Sequence, residues 1–206
     1  MKPKISARKA PAAGTDVRSR TIALLGDLAP AEGYNLTALP SVRILRSDRT
    51  LSRTPVLYDP GIVIVCQGRK RGYFGEQLYE YDEDHYLAVS VPVPFSMETD
   101  ATRARPLLAL YLHLDFTLAA ELAAQIDREG IAVREAAPQS MMSTPMDARM
   151  QTSILRFLEA MSEPLEAAVL GHGLLRELYF RVLTGAQGGA MREALSMRGQ
   201  FGRIGR

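Results

Sequence analysis

Three segments between residues 58 and 115 decide the fold of this chain. They read YDPGIVIVCQGRK at 58–70, GEQLYEYDEDHYLAVSVPVP at 75–94 and RPLLALYLHLD at 105–115. Each contains short apolar or alternating runs, and Gly, Pro and Asp residues separate these runs. Short strands punctuated in this way are typical of a compact antiparallel barrel. We therefore predict a β-barrel over about residues 40–115, with residues 68–72 (GRKRG) as a polar turn, although 70–74 fit a strand equally well.

The composition fits a single globular domain with a sizeable core. The chain has 206 residues, of which 47% are hydrophobic and 23% charged. The single cysteine, Cys66, excludes an internal disulfide and fits a reducing cytoplasm. No apolar run approaches the roughly 18 residues that a membrane-spanning helix needs. The sequence therefore predicts a cytoplasmic protein with no membrane segment and no secretory signal.

The net charge of +2 is unevenly distributed along the chain. Residues 1–20 carry six Lys or Arg and one Asp, and residues 191–206 carry four Arg and one Glu. The part between them, 21–190, therefore has a net charge of −6. A folded body with this negative charge is poorly suited to contact a phosphate backbone.

The parts of the chain outside the barrel are predicted to be an arm, several helices and a linker. Residues 1–15 are basic and nearly lack large apolar side chains, so we expect a flexible arm. Residues 16–28 fit a short amphipathic helix. After the barrel, helices are predicted over 117–128, 146–161 and 163–183, and the last two form a hairpin. One folded domain is thus expected over 16–186, with its helices at about 117–184 and a Gly- and Arg-rich linker over 187–206.

The order of the three barrel segments resembles the N-terminal sensor domain of AraC-type transcription regulators. Residues 175–185, which read LRELYFRVLTG, are similar to the second helix of that family's hairpin. The resemblance covers roughly residues 33–206, with a mild departure where Glu83 and Asp84 replace the Ala-Gly that is frequent in the family. It implies an α+β fold with a cupin-like antiparallel jelly-roll barrel followed by a C-terminal helical hairpin.

The resemblance also implies what the domain does. Family members continue through a linker into two helix-turn-helix units, and residues 187–206 correspond to that linker. We therefore expect an effector-sensing and dimerisation domain that controls DNA binding through a C-terminal domain absent from this chain. The expected partners are a small-molecule effector and a second copy of the chain. Dimerisation is assigned to apolar positions of the last helix: Leu174, Leu175, Leu178, Tyr179 and Val182.

A barrel mouth can hold one small ligand between apolar walls and a few polar groups. The side chains predicted to supply such polar contacts are Tyr58, His85, Tyr86, Tyr111 and His113. Alternation along 107–114 places His113 on the same face as Tyr111. The effector itself is not specified by the sequence.

The chain lacks the usual signature of a metal-dependent cupin. Such a site needs clustered histidines and carboxylates, commonly a His-x-His pair followed by Glu. This chain has three histidines, His85, His113 and His172, and no two are spaced i, i+2. No catalytic arrangement of nucleophile and base is indicated by spacing either. We therefore predict no metal, no cofactor and no enzymatic activity.

Two alternatives remain open at this stage. A free-standing cupin enzyme, either an isomerase or a metal oxygenase, would bind a metal through His85 or His113. A regulator without a DNA-binding half could instead act by forming mixed dimers.

Overall fold

The computed structural model describes residues 13–130 and 137–204, with side-chain surroundings given over 16–130 and 137–197. These residues form ten strands and five helices. The strands are β1 (Gly33–Leu36), β2 (Val42–Ser47), β3 (Leu51–Tyr58), β4 (Gly61–Gln67), β5 (Arg69–Phe74), β6 (Gln77–Asp82), β7 (His85–Val89), β8 (Val93–Asp100), β9 (Leu107–His113) and β10 (Met141–Pro145). The helices are α1 (Ala13–Leu28), α2 (Phe116–Arg128), α3 (Ala148–Met161), α4 (Pro164–Thr184) and α5 (Gly188–Ile204).

The strands form two antiparallel sheets that face each other. The larger sheet has the order β1-β2-β9-β4-β7-β10, and the smaller has the order β3-β8-β5-β6. The chain crosses from the larger sheet to the smaller one at Gly68, between β4 and β5. Gly68 has a φ of +86°, a conformation that glycine adopts without the strain a side chain would add.

Alternation along the strands divides the apolar side chains into two cores. In β4, Val63 and Val65 face the interior between the sheets, whereas Ile62 and Ile64 face the helices. Because both faces of β4 are covered, its residues 61–66 are all buried. The same division holds in β9, so the larger sheet is the wall shared by the barrel and the helical layer.

The helices pack on the outer face of the larger sheet, where their apolar stripes complete the second core. Asp115 caps α2 by accepting a hydrogen bond from the backbone N–H of Leu118 at 3.0 Å. Asp147 caps α3 in the same way, accepting from the backbone N–H of Met150 at 2.7 Å. None of the helices in the described part of the chain is long and apolar enough to cross a membrane.

The α+β prediction, with a barrel before a helical hairpin, is confirmed. Several details differ from the expected boundaries, and one is that α1 begins at Ala13, within the predicted arm. Strands β1 and β10 lie outside residues 40–115, and residues 70–74, left open between turn and strand, belong to β5. Residues 188–204, expected to be linker, form α5, and its Ala190, Met191 and Leu195 are buried in the helical core. Residues 1–12 of the predicted arm lie outside the described residues.

Candidate ligand-binding barrel

The interior between the two sheets is the candidate site because it combines apolar walls with a few polar side chains. Its walls are mainly aliphatic and aromatic, and almost all of these residues are buried: Val63, Val65, Tyr81, Leu87, Val89, Val93, Phe95, Ala101, Leu107, Ala109 and Met141. An apolar interior with a small number of placed polar groups is the usual composition of a small-molecule site.

A row of three inward-facing residues crosses the smaller sheet near one end of the barrel. Lys70 in β5 lies opposite Tyr81 in β6 and opposite Thr99 in β8. We call these three residues the Lys70 row. All are buried, and Lys70 itself is 1% exposed. The row therefore places an amine, a phenol and a hydroxyl inside the barrel.

Lys70 is a buried basic group without a paired acid in the described part of the chain. Its Nζ donates to Thr99 Oγ1 at 3.3 Å. Burial lowers the pKa of Lys70 from 10.5 to about 8, with no contribution from a nearby carboxylate. Since this pKa is still above neutral, most Lys70 side chains carry a positive charge at pH 7.

Two tyrosines extend the polar groups from the Lys70 row along the barrel. The hydroxyls of Tyr58 and Tyr81 are 3.3 Å apart, and the Tyr58 hydroxyl lies 3.4 Å from Met97 Sδ. The Tyr58 ring packs edge-on against Phe95, with ring centroids 4.7 Å apart. Burial raises the pKa of both phenols, so they stay neutral hydrogen-bonding groups. The predicted contact residue Tyr58 thus lies in the barrel interior.

Tyr111 and His113, two further predicted contact residues, lie at the opposite end of the barrel from the Lys70 row. The ring centroids of Tyr111 and His113 are 6.5 Å apart, and those of Tyr111 and Tyr34 are 6.2 Å apart. The Tyr111 hydroxyl donates to the carbonyl of Asp59 at 3.4 Å. Burial is the main cause that raises the pKa of Tyr111 to about 12. His113 is exposed, so these residues form a rim rather than part of the interior.

The structure does not bring His85 and Tyr86 into this interior. His85 begins β7 at the surface, where its Nδ1 lies 2.9 Å from Asp82 Oδ1. Tyr86, the next residue, points to the other face of the sheet and belongs to the helical core. Its hydroxyl lies close to Gly185, at the end of α4. Of the five predicted contact residues, the barrel therefore brings together Tyr58 inside and Tyr111 with His113 at the rim.

An open pocket of about 410 Å³ lies at the end of the barrel next to the Lys70 row. We call it the lower pocket. Arg69, Asp82 and Asp100 line it, and each directly adjoins one member of the row in its strand. The remaining lining residues come from neighbouring turns: Thr50, Gly68, Glu83, Asp84, Ala101, Thr102 and Arg105.

The four carboxylates of the lower pocket are each paired with a basic side chain. Asp82 pairs with His85, and Asp100 accepts from Arg71 at 3.0 Å. Arg105 and Arg18 contact Glu83, and Arg18 also contacts Asp84. The arginines among these partners reduce the negative charge that four acids would otherwise give the pocket.

The sequence-based prediction missed Lys70, Tyr81 and Thr99. Lys70 was assigned to a polar turn because five polar or glycine residues occur in succession at 68–72. One signal was present: Lys70 is the only lysine after residue 9, whereas twenty arginines occur in the same part of the chain. Which face of β5 it occupies depends on pairing with β6 and β8, which the local pattern does not specify.

The residues predicted for dimerisation lie inside the chain's own helical core. Leu175, Leu178, Tyr179 and Val182 are buried against the sheet and neighbouring helices, and Leu174 is partly buried. The exposed apolar residues of α4 are instead Leu165, Val169 and Leu170, at 77%, 70% and 49% exposure. Packing within the chain therefore explains the apolar residues of α4 that the sequence assigns to dimerisation.

Neither a metal-binding group nor a reactive thiol is evident in the described residues. Within 13–130 and 137–204, no three His, Cys, Asp or Glu side chains are grouped so that they could hold a metal ion. Cys66 is buried in the helical core, and burial raises the pKa of its thiol to about 12. A thiol with that pKa stays protonated and is a poor nucleophile at neutral pH.

Solved structures similar to this chain include two of ToxT from Vibrio cholerae. Apo ToxT, as a lysine-to-alanine variant, matches with 8% identity and a TM-score of 0.49 over 78% of this chain and 59% of that one. Wild-type ToxT bound to an unsaturated fatty acid matches with 10% identity and a TM-score of 0.45 over 75% and 56%. This chain thus spans less than two thirds of the length of these ToxT chains. A search of the curated proteins found no match.

The family comparison is more direct because it covers most of the sequence. The profile of the family described as "AraC-type transcriptional regulator N-terminus" matches residues 38–190. This range runs from just before β2 to the first turn of α5, so it includes the helical hairpin and every strand of both sheets except β1. The chain therefore belongs to the AraC-type transcriptional regulator N-terminus family.

Proposed function

We propose that this chain senses a small-molecule effector in its barrel and passes the signal, as a dimer, to a DNA-binding domain. Family membership supports a regulatory role. The observation that carries the sensing role is the barrel interior, where Lys70, Thr99, Tyr81 and Tyr58 lie among apolar walls. We assign the chain a binding role rather than an enzymatic one, in the cytoplasm where a transcription regulator meets DNA.

The proposed dimer interface is the exposed face of α4. Leu165 and Val169 are one turn apart on one side of the helix, and Leu170 lies about 100° further round and widens this exposed face. A second copy of the chain could cover this face with the same residues, as a two-fold symmetric interface requires. We propose this face in place of the positions predicted from sequence, which pack within the chain and are partly or fully buried: Leu174, Leu175, Leu178, Tyr179 and Val182.

Signal transfer would use the wall that the barrel shares with the helices. An effector that contacts the inner face of the larger sheet can shift side chains on its outer face, since both belong to the same strands. Helix α4 packs on that outer face, and α5 follows α4 towards the C-terminus. The effector would act by binding one arrangement of sheet and helices more tightly than another.

The sensing role is tested by a thermal-shift screen of the chain against small molecules. A true effector at about 100 times its Kd should add about 2.7 kcal/mol to the free energy of unfolding. For a domain of this length that corresponds to a rise in Tm of roughly 5–10 °C. A screen in which no compound class raises the Tm would contradict effector sensing.

The dimer is tested by sedimentation velocity over a range of concentrations. Val169→Asp should shift the chain towards monomer, because a carboxylate in the interface centre is desolvated without a partner. The control is Leu57→Asp, because Leu57 is also exposed, at 65%, but lies on β3 and away from α4. This substitution introduces the same carboxylate outside the proposed interface. Equal effects of the two variants, or a wild-type chain that stays monomeric, would contradict the α4 interface.

A further inference from the structure

The lysines of this chain are distributed in an unusual way. Four are present, and three of them, Lys2, Lys4 and Lys9, lie among the first nine residues. After position 9 the chain has twenty arginines and one lysine, Lys70. That one lysine is also the most deeply buried basic side chain of the described residues, at 1% exposure. Its position inside the barrel therefore calls for an explanation other than surface charge.

Structural stability does not explain a lysine at this position. Thr99 supplies one acceptor for an ammonium group that has three donors. The charge has no carboxylate partner among the described residues, and burying an unpaired charge is unfavourable. An apolar side chain of similar length would fill the same space without that cost. The other buried basic residue, Arg192, has both a paired acid and a carbonyl partner.

We propose that Lys70 binds the carboxylate of an apolar monocarboxylic acid, which is the effector of this domain. The carboxylate would lie against Lys70 Nζ and the Thr99 hydroxyl, and the apolar part would extend along the barrel walls past Tyr81 and Tyr58. This inference rests on the proposed sensing role and specifies the chemical class of the effector.

Charge and polarity favour a monocarboxylate over other anions. Lys70 is the one buried cation of the barrel interior in the described residues, so a single negative charge neutralises it. A phosphate group carries between −1.5 and −2 charges at pH 7 and would leave excess negative charge in an apolar interior. The walls are otherwise apolar, which matches a hydrocarbon or aromatic body rather than a sugar.

In this proposal the acid enters the barrel from the lower pocket. It adjoins the Lys70 row through Arg69, Asp82 and Asp100, and its volume of about 410 Å³ is within the usual range for small ligands. Arg18, Arg71 and Arg105 pair with its acids and reduce the repulsion that these acids would exert on an anion. Arg69 adds a further positive charge at the entrance.

The test uses nuclear magnetic resonance of the whole chain with ¹³C-labelled lysine, which gives signals from only four residues. The probes are benzoate, phenylacetate and octanoate, each compared with its uncharged amide. An acid that binds should shift the signal that is lost in Lys70→Met, and should raise the pKa of Lys70 because a carboxylate favours the ammonium form. At least one acid should bind about tenfold or more tightly than its amide.

Lys70→Met should abolish the preference for acid over amide, so that the two bind about equally. The control is Arg149→Met, which removes one positive charge from an exposed position on α3 and should keep the preference. Acid binding that is unchanged in Lys70→Met, or acids that leave the Lys70 signal unmoved at millimolar concentration, would overturn the inference. Effectors of another class found in the thermal-shift screen would then still support the sensing role.

Discussion

At the scale of single residues, burial of Lys70 makes the stability of the domain depend on pH. Its pKa is about 8 in the folded chain and 10.5 without burial. Between these two values the unfolded chain binds more protons than the folded one, so the free energy of unfolding rises with pH. The difference of about 2.5 pKa units corresponds to about 3 kcal/mol, gained between roughly pH 8 and pH 10.5. Below pH 8 Lys70 is charged in the folded chain, and burial of this charge lowers the free energy of unfolding by that amount.

Lys70→Met should remove this pH dependence and stabilise the chain at neutral pH. We expect the variant to exceed the wild type by about 1–3 kcal/mol at pH 7, since an apolar side chain replaces an unpaired buried charge. The difference should shrink towards zero as the pH approaches 10. Urea unfolding followed by circular dichroism at several pH values measures the stability difference and its change with pH. Titration of the tyrosines affects wild type and variant alike, so it cancels in the difference. A difference that is independent of pH would contradict a low pKa for Lys70.

At the scale of elements, one tyrosine joins α4 to the end of the barrel. The Tyr179 hydroxyl donates to the carbonyl of His113 and accepts from the backbone N–H of Asp115, both at 2.8 Å. These two backbone groups lie where β9 ends and α2 begins, so their hydrogen bonds cannot be completed by the sheet or by the helix. Tyr179 is 1% exposed, which keeps water from replacing it.

Tyr179→Phe should destabilise the domain by about 1–3 kcal/mol, because it leaves a buried donor and acceptor unpaired while it keeps the ring packing. The matched control is Tyr79→Phe, whose hydroxyl is exposed and contacts only Gln77 at 2.6 Å among the described residues. The control should change stability by less than about 0.5 kcal/mol. Chemical denaturation of the three proteins measures the difference, and similar values for both variants would count against this role of Tyr179.

The same elements show which parts of the fold are readable from the sequence. Helices α2, α3 and α4 lie close to the predicted ranges 117–128, 146–161 and 163–183 because helical spacing of apolar residues is a local signal. Residues 187–206 read as a linker in which only 191–197 fit a helix, because glycines weaken the local signal, whereas burial of Ala190 and Met191 stabilises α5 in the folded chain. Strand β10 is held by pairing with the distant β7, which no local pattern indicates.

The candidate site was predictable only where alternation within one strand specifies the inward face. Tyr111 was placed correctly relative to Ala109 and Leu107 in this way. The Lys70 row depends on three strands whose register is set by the whole sheet, so it could not be assembled from sequence. That Tyr58, Tyr111 and His113 contact an effector stays a prediction.

At the scale of the whole molecule, Arg192 connects the helices that lead from the barrel wall to the C-terminus. It is 7% exposed in α5, its Nε pairs with Asp127 of α2 at 3.3 Å, and its guanidinium donates to the carbonyl of Leu183 in α4. Three helices therefore meet at one side chain. This contact therefore ties α5 to both α2 and α4.

Arg192→Met should loosen α5 while the barrel stays folded. The variant loses the ion pair and leaves the Leu183 carbonyl without its donor, which we expect to cost about 1–3 kcal/mol locally. Hydrogen exchange read by mass spectrometry should then speed up about tenfold or more in residues 188–197, with β4 and β9 unchanged. The control is Glu193→Met, which introduces the same residue at the adjacent exposed position of α5. Uniform acceleration across the chain would mean that Arg192 stabilises the domain globally, and no acceleration would mean that Met191 and Leu195 alone dock α5.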